Sequence, residues 1–410
     1  MKIAVLTQSY PPMVSGAALF AQHLAQAMAC HGHQVLVLAA SEQERPYRVE
    51  GANLTIVRLR SHHNPWRVGQ RFMLWQNPQI DVALREFEPD ILHLHDPLQL
   101  AWAAISYSRR AGVPSVLTIH ALPSLAVASL PALHMGVENG LWTYAGWLLH
   151  RVQARVTPTQ TVADIVRART GLGSQVISCG VDLHTFHPER LPAQQEANMR
   201  QDLGIPEGAP VILHVGRLDA DKNVDLAIMA AARAIQFTPA HLLVVGDGRK
   251  KESLVRLCDQ LGIRSRSHFT GYITDPNKLS VLYRLASAFV TASEIETQGL
   301  VLLEAAACGL PLVGVDAGAV AESIQDGLNG YLVARGDVSG LAQRIMHILL
   351  NGETARVMGH ASREIALKHD YELSLQAYET FYYAQIAQKR AVLNGHILPS
   401  LAAFDEYPRK

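Results

Sequence analysis

The sequence predicts an α/β protein built from two doubly wound parallel-sheet domains facing a central cleft. Three observations lead there. The 410 residues amount to two or more domains at roughly 100–200 residues each. Short apolar, β-branched runs alternate with helical patterns from end to end, as βαβ units require. That alternation lapses once, near the middle of the chain.

In residues 1–187 the strands are read at 3–7, 35–39, 54–59, 91–95, 116–120 and 175–178. Several are continuously apolar, as strands covered on both faces should be. Residues 188–210 are polar and rich in Pro and Glu, and are read as the linker region. A second series follows at 211–215, 242–245, 268–273, 288–292, 311–315 and 331–333, with helical patterns such as 224–236 and 338–350. The domains are therefore set at 1–187 and 188–370. Residues 371–410 form a helical, aromatic tail that packs back on the first domain.

Lys plus Arg number 36 and Asp plus Glu number 36. A net charge of zero argues against whole-protein attraction to nucleic acid or to anionic membrane. The hydrophobic share of 49% supplies large cores and excludes extensive disorder. Cys30, Cys179, Cys258 and Cys308 lie far apart, which disfavours a disulfide framework or a zinc site and fits a reducing compartment. The first residues read as a strand ending at Pro11-Pro12 and not as a signal peptide, so a cytoplasmic location is expected. Residues 111–137 contain no Asp, Glu, Lys or Arg, but three prolines and two histidines interrupt them. They are read as a buried strand followed by an apolar loop.

In a doubly wound fold the ligand cleft lies at the carboxyl ends of the strands, so the loops there matter most. The first turn, Pro11 to Ala17, places Gly16 where backbone N–H groups can approach an anion at a helix start. The dinucleotide fingerprint G-x-G-x-x-G is missing from it. Residues 214–223, HVGRLDADKN, put Arg217 and Lys222 just past a strand, within reach of a diphosphate. Asp219-Ala220-Asp221 has the form of a metal-binding D-x-D, but beside two cations Asp221 is read as a helix cap, and no metal is expected. In residues 293–311, Glu296 falls in the cleft loop before a helix starting near Gln298 or Gly299, and Glu304 falls within that helix. Carboxylates there can accept hydrogen bonds from sugar or ribose hydroxyls. His120 ends a first-domain strand and faces the same cleft.

With these residues in view the chain resembles the retaining GT-B glycosyltransferases, the family that includes glycogen synthases, sucrose synthases and phosphatidylinositol mannosyltransferases. The resemblance covers nearly the full length, through the Pro-Pro…Ser-Gly turn, TIH at 118–120, CGVDLHTFHP at 179–188, GRLDADKN, VGDG at 245–248, FTGYI at 269–273 and the two glutamates. It implies two Rossmann-like domains and a nucleotide-sugar donor, a UDP- or GDP-hexose, held mainly by the second. Arg217 and Lys222 would bind its diphosphate and Glu304 its ribose. Glu296 and the backbone of Thr297, Gln298 and Gly299 would hold the sugar, and Tyr272 and Ile273 would line the base. Gly16 would offer an amide from the first domain, and His120 would lie beside the transferring sugar. The departing diphosphate would take the acceptor proton, so no enzymic base is implied, and with Arg217, Lys222 and a helix N-terminus opposing its charge neither cofactor nor metal is expected. Two departures stand out: Ser15-Gly16 replaces paired glycines, and Cys179 replaces Asn before Gly-Val-Asp.

The acceptor is less legible. Residues 51–80 hold Arg58, Arg60, Arg67, Arg71, His62 and His63 among Trp66, Phe72 and Trp75, with no Asp or Glu before Asp81. Val68, Phe72 and Trp75 at i, i+4 and i+7 would share a helix face, a composition suited to a membrane interface. Together with the apolar loop after His120 and the Glu-Thr-Gln-Gly wording at 296–299, this resembles the glycerolipid glucosyltransferase branch. A lipid acceptor and peripheral membrane contact through 58–75 are expected, with a soluble sugar or sugar phosphate as the alternative acceptor. A nucleotide-sugar epimerase, which uses the same two-domain fold and would react with donor alone, is the less favoured enzyme alternative; a two-lobed binding protein is disfavoured by the missing signal peptide and the full set of donor residues.

Overall fold

The computed structural model describes residues 1–13, 15–43, 45–63, 71–73, 78–97, 99–127, 134–189 and 191–393. The first part of the chain runs β1 (Lys2–Thr7), α1 (Gly16–Cys30), β2 (Gln34–Ala40), β3 (Tyr47–Glu50), β4 (Leu54–Leu59), β5 (His62–His63), β6 (Arg71–Phe72), α2 (Pro78–Phe87), β7 (Ile91–Leu94), α3 (Gln99–Ala111), β8 (Ser115–Thr118), α4 (Pro123–Val127), α5 (His134–Leu149), β9 (Ala154–Thr157), α6 (Gln160–Thr170) and β10 (Gln175–Val176). Among the described residues the main sheet here has the order β10-β9-β8-β7-β1-β2-β4-β3. All its pairings are parallel except β3 on β4.

The second part runs α7 (Ala193–Leu203), β11 (Val211–Val215), α8 (Val224–Phe237), β12 (His241–Val245), α9 (Lys251–Gln260), β13 (Ser267–Gly271), α10 (Pro276–Leu285), β14 (Ala288–Val290), α11 (Leu300–Ala307), β15 (Leu312–Val315), α12 (Val320–Ser323), β16 (Gly330–Val333), α13 (Val338–Leu350), α14 (Gly352–Leu367) and α15 (Tyr371–Leu393). Its parallel sheet has the order β13-β12-β11-β14-β15-β16. Strand order reverses beside β1 in one sheet and beside β11 in the other. Those are the switch points at which a crevice opens beyond the carboxyl ends.

The strands are apolar because helices cover both faces of each sheet: every residue of β11 and β12 is buried. Helix α8 answers with Val224, Ala227, Ile228, Ala231, Ala234 and Ile235 buried at helical spacing. Helix α15 returns to the first sheet, where Tyr378 and Tyr382 are fully buried among Phe20, Val35, Val116 and Val156. The return is locked where Val181 N donates to His369 O at 2.8 Å and Tyr371 N to Val181 O at 3.0 Å. A Cβ on Gly180 would lie 2.7 Å from Tyr371 Cα, so the CGVD motif is a close chain crossing. Cys179 is buried beside it.

Several readings are corrected. The linker contains α7, a polar helix anchored by Arg200, which is 9% exposed and donates to Glu196 and to the Ala209 carbonyl. An anchor that is a charge leaves no apolar period to read. Strand β9 escaped notice because Arg155 interrupts it; the guanidinium is spent on the carbonyls of Leu149 and Gly173. Strand β3 is a mostly exposed antiparallel edge without alternation. The apolar loop after His120 includes the short helix α4, and 128–133 lie outside the described residues.

The basic segment is corrected most. Arg58 is 4% exposed, donates to the carbonyls of Tyr10, Pro11 and Ala40, and lies over the Tyr10 ring, so it serves the fold and not a membrane. Arg71 and Phe72 form a strand with His62–His63 and not a helix face, and Arg71 Nε donates to Ser61 Oγ at 2.7 Å. Trp66, Arg67, Val68 and Trp75 lie outside the described residues. Among the described residues no helix is long and apolar enough to cross a membrane.

Candidate active site

The loop after β11 is zipped to the loop after β12. Gly216 N donates to Val245 O at 3.0 Å, Leu218 N to Asp247 O at 2.9 Å and Lys250 N to Leu218 O at 2.9 Å. This zipper fixes Arg217 at the end of the strand. Its guanidinium is held by Asp219 and, at 2.7 Å, by Asp221, so Asp221 pairs with Arg217 and does not cap a helix as the sequence suggested. A short 3₁₀ turn, Ala220–Lys222, then leads into Asn223, which takes a left-handed conformation and donates to Glu294 at 3.2 Å. The turn aims Lys222 at Glu296: Nζ lies 2.6 Å from Oε1, with side chains 17% and 13% exposed.

Glu296 belongs to the loop that leads into α11. Gly299 sits at the N-cap with φ +73° and provides no side-chain cap, and the helix begins at Leu300, one or two residues beyond the predicted start. Among the described residues the amides of Thr297, Gln298 and Gly299 donate no hydrogen bond, leaving positive helix-end dipoles open. Two turns on, Glu304 accepts from Tyr283 OH at 2.7 Å. Burial pushes its carboxyl up to about 7, against that hydrogen bond. Tyr272 is 43% exposed. Burial raises its phenol, and the Glu304 charge adds to the rise, which places the two side chains in one neighbourhood. Ile273 packs on the core beneath.

The first domain closes over this loop. Thr297 Oγ1 donates to the His120 carbonyl at 2.9 Å, and Thr159 Oγ1 donates to Thr297 O at 2.8 Å. His120 lies just past β8, its ring pulled down to about 4 by burial. Gly16 opens α1, where Ser15 caps the helix by accepting from Ala18 N; a Cβ there would lie 3.7 Å from Leu300. The Gln298 side chain is not free for a ligand: it is 4% exposed and bridges Ser178 Oγ and Cys179 N.

Lys222, Glu296, Thr297, His120 and Gly16 thus converge on the N-terminus of α11 from both domains, whereas Arg217 rests on its aspartates. Sequence reasoning missed Tyr283, Thr159, Glu322 and His95. Glu322 accepts from the amides of Gln160 and Thr161 across the domain boundary, a contact with no sequence signal. His95 had a signal, a second His at a strand's carboxyl end. Among the described residues no group of three or more His, Cys, Asp or Glu is arranged to hold a metal.

Residues 14–185 match the family model for Glycosyltransferase Family 4 and residues 195–365 that for Glycosyl transferases group 1. The chain is 28% identical to the sulfoquinovosyl transferase SQD2 of Arabidopsis thaliana, over 83% of this chain and 65% of that one. It is 26% identical to N-acetyl-alpha-D-glucosaminyl L-malate synthase of Bacillus anthracis, over 93% and 97%. It is 22% identical to alpha-monoglucosyldiacylglycerol synthase of Acholeplasma laidlawii, over 96% and 100%. Among solved structures, sucrose-phosphate synthase from Thermosynechococcus elongatus superposes with a TM-score of 0.80 at 21% identity, over 95% of this chain and 100% of that one. Anabaena HepE with UDP and glucose gives 0.74 at 21%, over 94% and 100%. With both of its halves matched in this order on this two-sheet frame, the chain belongs to the GT-B glycosyltransferases, a Family 4 domain followed by a group 1 domain.

Proposed function

We propose that this glycosyltransferase moves a hexose from a nucleotide sugar, a UDP- or GDP-hexose, to a glycerolipid acceptor with retention at the anomeric carbon. The observation that carries the reading is the Lys222–Glu296 pair at 2.6 Å beside the α11 N-terminus, tied through Thr297 to the His120 carbonyl. The acceptor oxygen attacks the anomeric carbon as the bond to the diphosphate breaks, and the acceptor proton passes to the departing phosphate oxygen. Arg217, Lys222, Gly16 and the open α11 amides oppose the charge gathering on that group, so the reading requires no metal. Glu304 takes the ribose, Glu296 with the 297–299 backbone the sugar, and Tyr272 and Ile273 the base. The bound UDP and glucose of Anabaena HepE and the glucosyldiacylglycerol synthase relative support donor and acceptor class respectively.

Incubation with EDTA and a panel of UDP- and GDP-hexoses, with and without diacylglycerol vesicles, tests it. The expected result is nucleotide release that needs one donor and the lipid. A soluble acceptor is the second reading, favoured by the inward-facing Arg58 and by the near full-length likeness to the malate-glycosylating relative; release stimulated by small hydroxy acids or sugar phosphates and not by vesicles would establish it.

Glu304 makes the donor site sensitive to pH. Its folded pKa, about 7, lies above the ordinary value of 4.5. The stability it contributes is full below about 4.5 and lost as pH rises through 7. The carboxylate formed over the same range accepts ribose hydroxyls better. Donor KM should therefore fall as pH rises through about 7, and Glu304→Gln should remove that step. A step of equal size in Glu304→Gln would assign it elsewhere.

A further inference from the structure

Behind His120 stands a column of imidazoles that the transfer reading leaves unused. His95 Nδ1 lies 2.9 Å from His120 Nε2, and the two rings are nearly coplanar, with centroids 5.1 Å and planes 11° apart. His93 follows with its ring centroid 4.1 Å from that of His95. Tyr382 OH is 2.6 Å from His93 Nδ1, and His93 Nε2 is 2.7 Å from Thr118 Oγ1, itself 3.3 Å from Tyr378 OH. Phe20 flanks His95 and His120 at 5.8 and 5.3 Å. Both tyrosines belong to α15, so the column runs from the returning C-terminal helix to the cleft.

The direction of the hydrogen bonds follows from which atoms are sealed. Burial lowers His93 to about 3 and His120 to about 4, and holds His95 well below its ordinary range, so near pH 7 each ring is neutral and carries one N–H. Between His95 Nδ1 and His120 Nε2 one atom therefore donates. Were it His120, the His95 proton would sit on Nε2, which is buried with no partner. A sealed orphan N–H is rarer and more costly than an unused lone pair. His95 is therefore the donor, and the His120 proton lies on Nδ1, which has no protein partner among the described residues. On the far side the neutral His93 ring, donating through one nitrogen and accepting through the other, bridges Tyr382 OH and Thr118 Oγ1.

We propose that His95 is a positioning residue that fixes His120 as the Nδ1–H tautomer, so that His120 meets the transferring sugar as a hydrogen-bond donor, with His93, Thr118 and Tyr382 holding His95 in place. The role in transfer rests on the function proposed above; the tautomer does not.

Protein labelled with ¹⁵N at histidine, with the His120 signals identified by their loss in His120→Gln, tests the tautomer without substrate. The expected result is a protonated Nδ1 and a bare Nε2 on His120, with the two tautomers mixing in His95→Phe. A bare Nδ1 in the unaltered protein, or an unchanged tautomer in His95→Phe, overturns the proposal. In transfer assays His95→Phe should lower kcat about tenfold with donor KM nearly unchanged, as loss of one oriented hydrogen bond implies. His95→Asn, whose side-chain N–H stands near the Nδ1 position, should recover most of it, and Tyr382→Phe should lose about threefold. Equal losses in the Phe and Asn variants, tracking a fall in melting temperature, would make His95 merely structural. Absence of transfer in the unaltered protein would overturn the function, and the nitrogen signals would still decide the tautomer.

Discussion

Lys222→Ala is expected to lower turnover by about ten- to a hundred-fold, because a charge-assisted contact to the leaving group contributes about 1.5–3 kcal/mol. The resting structure complicates the measurement in a useful way. Lys222 is paired with Glu296 at 2.6 Å, and both side chains are largely shielded. Removing the ammonium strands a carboxylate that is only 13% exposed, so the single variant loses stability as well as chemistry. The double variant Lys222→Met/Glu296→Gln removes both charges and should regain the melting temperature. If the pair serves the transfer, Lys222 at the diphosphate and Glu296 at the sugar, turnover stays low in that stable double variant. Recovery of turnover together with the melting temperature would reduce the pair to a fold contact and remove Lys222 from the reaction.

Arg217 calls for a different expectation, since two aspartates already hold it. A diphosphate has to displace Asp219 or Asp221 or share the guanidinium with them. Asp221→Asn should therefore tighten the donor and leave the chemistry in place. A modest fall in donor KM, about two- to fivefold for one weakened, partly exposed pair, is the outcome to look for; a rise would show that Asp221 orients Arg217 and does not compete for it.

How much of this was legible in the sequence depended on the physics of each element. Continuous apolar runs gave β1, β2, β11, β12, β14 and β15 within a residue or two, because strands covered on both faces leave no other composition. The elements lost were those anchored by charge or lying at an edge: α7 on Arg200, β9 around Arg155, and β3. At the site, spacing and resemblance brought Lys222 and Glu296 forward, and the structure joins them. Spacing could not say that Arg217 would be taken by Asp219 and Asp221, that Arg58 would turn inward to the Pro11 carbonyl, or that Gln298 would brace the domain crossing. Arg58 and Gln298 depend on partners 47 to 120 residues away, which no local pattern encodes, and Arg217, whose partners are 2 and 4 residues away, depends on how the turn folds back.

Gly246→Ala should do the most damage of any methyl group added to the second sheet's rim. A Cβ there would lie 1.8 Å from Gly216 O and 2.9 Å from Gly216 C, both backbone atoms, and φ is +141°. No rotamer relieves the clash, so the strand-end loops must part. Those loops are held by the Gly246 N to Gly271 O bond at 2.9 Å and by the zipper that fixes Arg217. A cost of ~3 kcal/mol or more is expected from overpacking added to backbone strain, read as a melting temperature lower by several degrees and a loss of donor binding. Gly262→Ala is the control: φ is +70°, but nothing lies within 4 Å of the added carbon. It should carry only the conformational penalty, ~1 kcal/mol, and leave donor binding intact. Equal losses in the two variants would mean that backbone conformation alone, and not the contact between the GRLD and VGDG loops, sets the cost. The short Gly-Asp-Gly run would then have no part in placing Arg217.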